Sequence, residues 1–360
     1  EIVVVSKASR DMLSHLQKAG GVITDYGGIT SHVAIVLREF GVPCVVGTGK
    51  ATLVLEDDEI VTLDGKTGNI YQGFMELEEE KEFLEIFNPS TRIKVYLNII
   101  IRTGKHPQVL LDEGELTDIL TDGVREIVDA FYPKSVFFRT FDIPTDELRH
   151  LEGGEIEPFE HNPLLGSRGI TKDLNNPPIL EAQFNAVKNL LDEGYSNLAL
   201  KIPYVRDISE YVKSKKILKK CGVRPHQDLK VGVSVETPSV VFTFDEFLKE
   251  GLDFITLGMS DLTMCSLAVD RRGVNVSKHF QITHPAVMAM VKMVIDQCNQ
   301  ADIESCITGY AASDPRIVRK LVHWGISSIS TNPDQILKMR RLVNIAEDEL
   351  LLSNFTERNI

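Results

Sequence analysis

Two short apolar runs in this chain close on a charged residue, and a third is followed by one. Arg139 closes Val136-Phe137-Phe138, Glu236 closes Val231-Gly232-Val233-Ser234-Val235, and Asp261 comes just after the run at 254–258. Arg168 stands in Gly166-Ser167-Arg168-Gly169, and Thr308 ends Ser305-Cys306-Ile307. Carboxylates suit Mg²⁺, a hard cation that takes oxygen ligands and keeps positions open for a substrate anion. Arginines suit carboxylate or phosphate, which the planar guanidinium grips with two parallel hydrogen bonds. Taken singly, each of these residues fits a structural ion pair as well as a site. If the apolar runs are strands of one barrel, all stand on the rim where such barrels keep their chemistry, and the ligand is a small, doubly anionic molecule.

A second signal lies near the start: Tyr26-Gly27-Gly28-Ile29-Thr30-Ser31-His32-Val33-Ala34-Ile35-Val36. Glycines permit a turn, Thr30 or Ser31 can cap the helix that follows, and His32 falls in its first turn. The free amides and dipole there favour an anion and keep an imidazole neutral, hence nucleophilic. A phosphoryl group accepted by His32 would meet backbone donors. A capping or packing histidine is the other reading of the same spacing.

The elements that must position these residues follow from the pattern. Up to about residue 71, strand-like runs at 2–5, 21–24, 43–46 and 59–63 alternate with helical patterns at 10–18 and 31–39, which predicts a small α/β domain over residues 1–75. An acidic stretch within 76–90 reads as a solvated linker helix. Over 91–360, strand candidates at 94–99, 136–140, 198–202, 231–236, 254–258, 305–309 and 327–330 alternate with helical patterns. Repeated βα units with strands apolar on both faces predict a (β/α)8-like TIM barrel, although seven candidates leave it one strand short. A doubly wound sheet is the alternative closure.

Composition narrows the partners. Among 360 residues, 39 Lys and Arg against 52 Asp and Glu give a formal charge of -13, the wrong sign for a broad phosphate-backbone grip, so no nucleic-acid partner is expected. The five cysteines, Cys44, Cys221, Cys265, Cys298 and Cys306, include no Cys-x-x-Cys pair, which suits a reducing cytoplasm. No apolar run approaches the ~20 residues that span a bilayer, so no membrane partner is expected either. The first residue is Glu1, and a cut from a longer chain is expected.

The glycine-rich segment with its Thr30-Ser31-His32 resembles the swivelling phosphohistidine domain of phosphoenolpyruvate-utilising enzymes. The resemblance continues through Arg139-Thr140-Phe141-Asp142, Asn162-Pro163-Leu164-Leu165-Gly166-Ser167-Arg168-Gly169, Val235-Glu236-Thr237-Pro238-Ser239, Gly258-Met259-Ser260-Asp261-Leu262-Thr263 and Ile329-Ser330-Thr331-Asn332-Pro333-Asp334. Within that family the wording is nearest to the phosphoenolpyruvate synthases, the pyruvate, water dikinases. The resemblance implies that His32 carries the phosphoryl group and that Arg139, Arg168 and Ser260 bind phosphoenolpyruvate or pyruvate. It also implies that Glu236 and Asp261 hold Mg²⁺, or Mn²⁺, and that the barrel pairs as a homodimer. Neither carboxylate has a basic neighbour in its own motif to neutralise it.

Four departures from the family pattern shape the expectation. Nothing in the chain matches the ATP-grasp domain that phosphorylates the histidine, so a separate ATP-grasp domain or subunit is implied. The family's acid, a cysteine before a glycine on a late strand, falls at Thr308, a hydroxyl too weak to protonate carbon readily. Cys306 lies two residues earlier, facing the same way one layer deeper. The Arg-x-Glu-Phe strand expected between residues 99 and 104 is missing, and Ser260 replaces the usual asparagine. Two functions remain: a phosphotransferase interconverting pyruvate and phosphoenolpyruvate, with slow pyruvate release, or a degenerate phosphoenolpyruvate-binding regulatory protein with little turnover.

Overall fold

A computed structural model of the chain describes residues 1–8, 12–16, 18–28, 34, 37, 42–65, 67–75, 91–97, 104–273, 275–309 and 314–357. These form two compact units, Glu1–Phe87 and Asn88–Ile360. The linker expected at 76–90 lies outside the described residues.

The first unit is built on three parallel strands in the order β1 (Ile2–Lys7), β2 (Gly21–Tyr26), β3 (Cys44–Val46). The central strand β2 is buried along most of its length, as expected of a strand covered on both faces. Leu16, Val22, Leu37 and Val42 close the core beside it. An antiparallel hairpin follows, β4 (Val61–Asp64) with β5 (Asn69–Gln72). The sequence pattern gave β4 but not β5, whose Asn69 and Gln72 break the apolar run.

Among the described residues of the second unit seven strands run parallel: β6 (Lys94–Leu97), β7 (Val136–Arg139), β8 (Leu198–Ile202), β9 (Lys230–Val235), β10 (Phe254–Gly258), β11 (Glu304–Thr308) and β12 (Ser328–Thr331). Their order is β6-β12-β11-β10-β9-β8-β7, so β6 and β7 are the two edges. In a flat sheet those edges would stand about 29 Å apart, at ~4.8 Å per strand. Yet the rings of Tyr96 on β6 and Phe137 on β7 pack edge to face with centroids 5.2 Å apart, and Phe137 packs on Phe254 at 4.6 Å. The sheet therefore curls almost closed around a lumen, and among the described residues side chains, not a hydrogen-bonded ladder, bridge the seam. Between Leu97 and Val136 the described residues hold the helices Pro107–Asp112 and Leu116–Phe131 and no strand.

Strand alternation sorts the side chains into an outer core and a lumen. Val231, Val233, Val235, Ile255, Leu257, Ile307 and Ile329 pack outward with the helix residues Phe184, Val187, Val291 and Ile295. Gly232, Ser234, Thr256, Cys306, Ser328 and Arg139 alternate with them and face inward. The outer core is the larger apolar mass and fixes the strand ends, hence the rim. The last helix, Ile336–Glu357, ties back to the sheet where Glu347 accepts hydrogen bonds from the backbone of Arg92 and Ile93. No helix among the described residues is long and apolar enough to cross a membrane.

Candidate active site

The loop after β7 and the segment 162–169 meet through a buried ion-pair network. The Arg168 guanidinium donates to both oxygens of Asp142, at 2.8 Å from Nε and 2.7 Å from Nη2, and its Nη1 donates to Asp261 at 3.1 Å. The Tyr204 ring lies 4.1 Å below that guanidinium. Burial alone would raise the Asp142 carboxyl, but the Arg168 charge and its hydrogen bonds hold it below the usual range. The Phe141 amide donates to Gln183 Oε1 at 2.7 Å, and the Ser167 amide to Glu160 Oε1 at 2.9 Å, which pins both segments.

Glu236 follows β9 directly and is buried. Its Oε2 accepts from the Tyr204 amide at 2.7 Å. Tyr204 holds a left-handed φ of 50°, a strained conformation for a side chain of its size, and its hydroxyl donates to the Leu164 carbonyl at 3.0 Å. One residue thus supports Glu236 by its backbone, Arg168 by its ring and the 162–169 segment by its hydroxyl. Gly258 lies opposite: a Cβ there would come within 2.4 Å of Glu236 Cγ, so only glycine leaves space for the carboxylate.

Asp261 sits in the first turn of the helix Met259–Leu267, one residue after Ser260, rather than at a strand end. Its own motif holds no base, as the sequence shows, but the tertiary structure brings two from elsewhere. Arg168 reaches it from the 162–169 segment, and Arg271 Nη1 stands 3.7 Å away. Sequence reading missed Arg271 and the clamp role of Asp142, though Asp142 lay within a quoted segment.

Glu236 feels the carboxylates around it. Burial first, then the charges of Asp142 and Asp261, push the Glu236 carboxyl up to about 7. Two hard oxygen donors that repel one another in a buried rim form a fitting donor set for a divalent cation. Among the described residues no group of three His, Cys, Asp or Glu side chains gathers as a metal cage, so water or substrate would complete the shell.

The other expected residues are placed as follows. Arg139 ends β7 and points to the rim, half exposed, with a single 3.4 Å contact to Asp142. Thr308 ends β11 in register with Gly258, its hydroxyl donating to the Leu257 carbonyl at 3.3 Å. Cys306 is buried one layer below, and burial pushes its thiol up to about 11. His32, with Thr30 and Ser31, lies outside the described residues. The strand leading to that segment is anchored: Asp25 accepts from the Thr48 hydroxyl at 2.9 Å and from Thr52, and a Cβ at Gly47 would meet the Gly27 carbonyl at 2.9 Å.

Comparison with known proteins adds to this geometry. Residues 1–68 match the model of the PEP-utilising enzyme mobile domain, and residues 105–347 match that of the PEP-utilising enzyme PEP-binding domain. A protein of Methanocaldococcus jannaschii named probable phosphoenolpyruvate synthase is 42% identical over 355 residues, covering 89% of this chain and 30% of its own length. One of Archaeoglobus fulgidus with the same name is 39% identical over 382 residues, covering 98% of this chain and 51% of the relative. The phosphoenolpyruvate synthase of Pyrococcus furiosus is 37% identical over 388 residues, at 97% and 48%. The chain spans about half the length of the last two and less of the first. In the Archaeoglobus alignment 98% of 360 residues is about 353, against 382 aligned positions, so some 29 positions of the relative have no counterpart here.

Proposed function

Because the chain belongs to the phosphoenolpyruvate-utilising enzymes, we propose that it transfers a phosphoryl group between His32 and the enolate of pyruvate held at the barrel rim. The observation that supports this most is the convergence of Arg168, Asp142, Asp261 and Glu236 at one mouth. Arg168 and Arg139 would bind the phosphate and enolate oxygens, with Ser260 beside them. Glu236 and Asp261 would hold Mg²⁺ or Mn²⁺, which supplies positive charge for the enolate oxygen and carboxylate.

In the synthetic direction the enolate oxygen attacks phosphorus on His32, the N–P bond breaks, its electron pair returns to the imidazole, and phosphoenolpyruvate leaves. The low dielectric of the rim strengthens each charge contact with the developing anion. Loading His32 from ATP would fall to an ATP-grasp domain, in cis or as a separate subunit. A cytoplasmic location and a homodimer through the barrel belong to the same proposal. The seam between β6 and β7 among the described residues fits a barrel one strand short, and the Archaeoglobus relative has aligned positions enough for such a unit.

Incubation with phosphoenolpyruvate and Mg²⁺ should yield an acid-labile phosphoprotein, and oxalate, an enolate mimic, should bind only with the metal. Equal labelling of His32→Ala would falsify the carrier assignment, and equal oxalate binding in a chelator would remove the metal from the site. A second reading, a regulatory binder with little turnover, draws support from Thr308, whose hydroxyl already donates to the Leu257 carbonyl. Oxalate binding without labelling would favour it.

A further inference from the structure

Turning the enolate into pyruvate requires a proton at carbon 3, and the expected donors are poor. The Thr308 hydroxyl is committed to a backbone carbonyl. The Cys306 thiol is buried, directed at the Ile307 carbonyl oxygen at 3.4 Å, and held protonated by its surroundings. The lumen contains another titratable group that the sequence pattern concealed.

Lys201 lies in Leu198-Ala199-Leu200-Lys201-Ile202, a strand that reads as a plain apolar run. Leu198, Leu200 and Ile202 pack in the outer core, so alternation turns Lys201 into the lumen. It pairs in register with Arg139 on β7 and Gly232 on β9, directly under the rim. Its carbonyl accepts from the Thr140 amide at 3.2 Å, but among the described residues no hydrogen bond or ion pair engages its ammonium. The charged and titratable groups facing it are Arg139 at the end of β7, Asp142 after it, Glu236 after β9 and Cys306 on β11. Burial first and the Arg139 charge second push its ammonium down to about 8, against a pull upward from Cys306, Glu236 and Asp142. Lys201 is half-buried, and an apolar side chain would fill this place without the cost of drawing an ammonium away from water, so the lysine carries a functional signal.

We propose that Lys201 is the acid and base at carbon 3 of the substrate, taking the part that Thr308 cannot play. This rests on the reading of the rim as a pyruvate enolate site. There the arginines and the metal take up the oxygens, which leaves carbon 3 directed into the lumen. Toward pyruvate, an Nζ–H bond breaks and its electron pair stays on nitrogen. The enolate supplies the pair for the new C–H bond, the keto C=O reforms, and solvent reprotonates the amine. Toward phosphoenolpyruvate, the neutral amine takes a proton from the methyl group.

The test is exchange of the methyl protons of pyruvate in heavy water with Mg²⁺, followed by proton NMR on the full chain. It needs neither ATP nor a phosphohistidine. The native chain should exchange, with a rate that rises through about pH 8 and then levels, because the amine is the form that abstracts. Lys201→Met should slow exchange by about 10²-fold or more, the usual span of general acid and base catalysis. Lys201→Arg should be as slow, since a guanidinium keeps the charge and never gives up its proton in this range. Oxalate affinity should fall by about tenfold at most in either variant, the worth of one screened charge. Exchange at the native rate in Lys201→Met or Lys201→Arg overturns the assignment, as does a native chain that binds oxalate but exchanges nothing. A native chain that does not bind oxalate with Mg²⁺ fails the enolate reading itself, a separate result.

Discussion

The β8–β10 side of the rim and the β6/β7 seam hold their arginines in opposite ways. Arg168, on the first side, has a side chain only 4% exposed, is gripped by Asp142 and Asp261, and rests on an aromatic ring. Arg139, at the seam, is 44% exposed and has one long contact to Asp142. If the rim binds an anion as proposed, one side is already set before the ligand arrives, which would spare reorganisation later. The other keeps a charged arm in solvent, free to close on an anion. The difference lies in what surrounds each arginine: Arg168 is enclosed by Asp142 after β7, Tyr204 after β8 and Asp261 after β10, whereas Arg139 ends an edge strand whose open side, among the described residues, carries an aromatic contact and no ladder.

The sharpest way to break that contrast is Arg168→Met. Removing the cation leaves the Asp142 carboxylate buried without its main partner, and about 3–5 kcal/mol of stability should go with it. Oxalate binding should be lost as well. Because Arg168 holds the Asp142 carboxyl low, the stability it lends is full above the ordinary aspartate value of about 3.9 and is lost as pH falls through the lowered folded value. Denaturant titrations at neutral and acid pH read both effects. A variant as stable as the native chain at neutral pH would mean that the clamp does not hold the rim together.

Arg139→Met tests the seam. Its exposed contact contributes little to folding, so stability should change by about 0.5 kcal/mol or less. Oxalate affinity should still drop about 10- to 100-fold, the worth of a charge-assisted hydrogen bond to the ligand. If Arg139→Met destabilises as much as Arg168→Met, the seam is as rigid as the paired side.

The same contrast explains what could be read in advance. β8 and β10 match their expected bounds, and the other five barrel strands fall within two residues, because buried parallel strands announce themselves as apolar runs. The rim positions of Arg139, Glu236 and Asp261 could be read because they stand at or just after such runs. Asp142, Arg271 and Tyr204 were not, since their roles come from contacts between segments far apart in the chain. Lys201 was hidden for a different reason. A single lysine in a five-residue strand does not disturb the pattern, and only the register shows that it faces the lumen and not the helices. β5 was missed because a hairpin edge with polar ends lacks the signal altogether.

Thr308→Cys should give the smallest effect, and its size decides which side of the lumen supplies the proton. Thr308 pairs with Gly258 at the rim, so a thiol there would stand beside Glu236 at the mouth. A cysteine has an ordinary pKa of about 8.5, a far better acid than a hydroxyl. If Lys201 already protonates carbon 3, a second acid adds little, and pyruvate formation from phosphoenolpyruvate should quicken by no more than about fivefold. In a Lys201→Met background the same change should matter more and restore methyl exchange by about tenfold or better. Cys306→Ser should be close to silent in both, because the thiol lies below the rim and is held protonated. A gain of about 10²-fold from Thr308→Cys in the otherwise native chain would show that the proton had been missing until then. The paired side would then position the anion while contributing nothing to carbon 3.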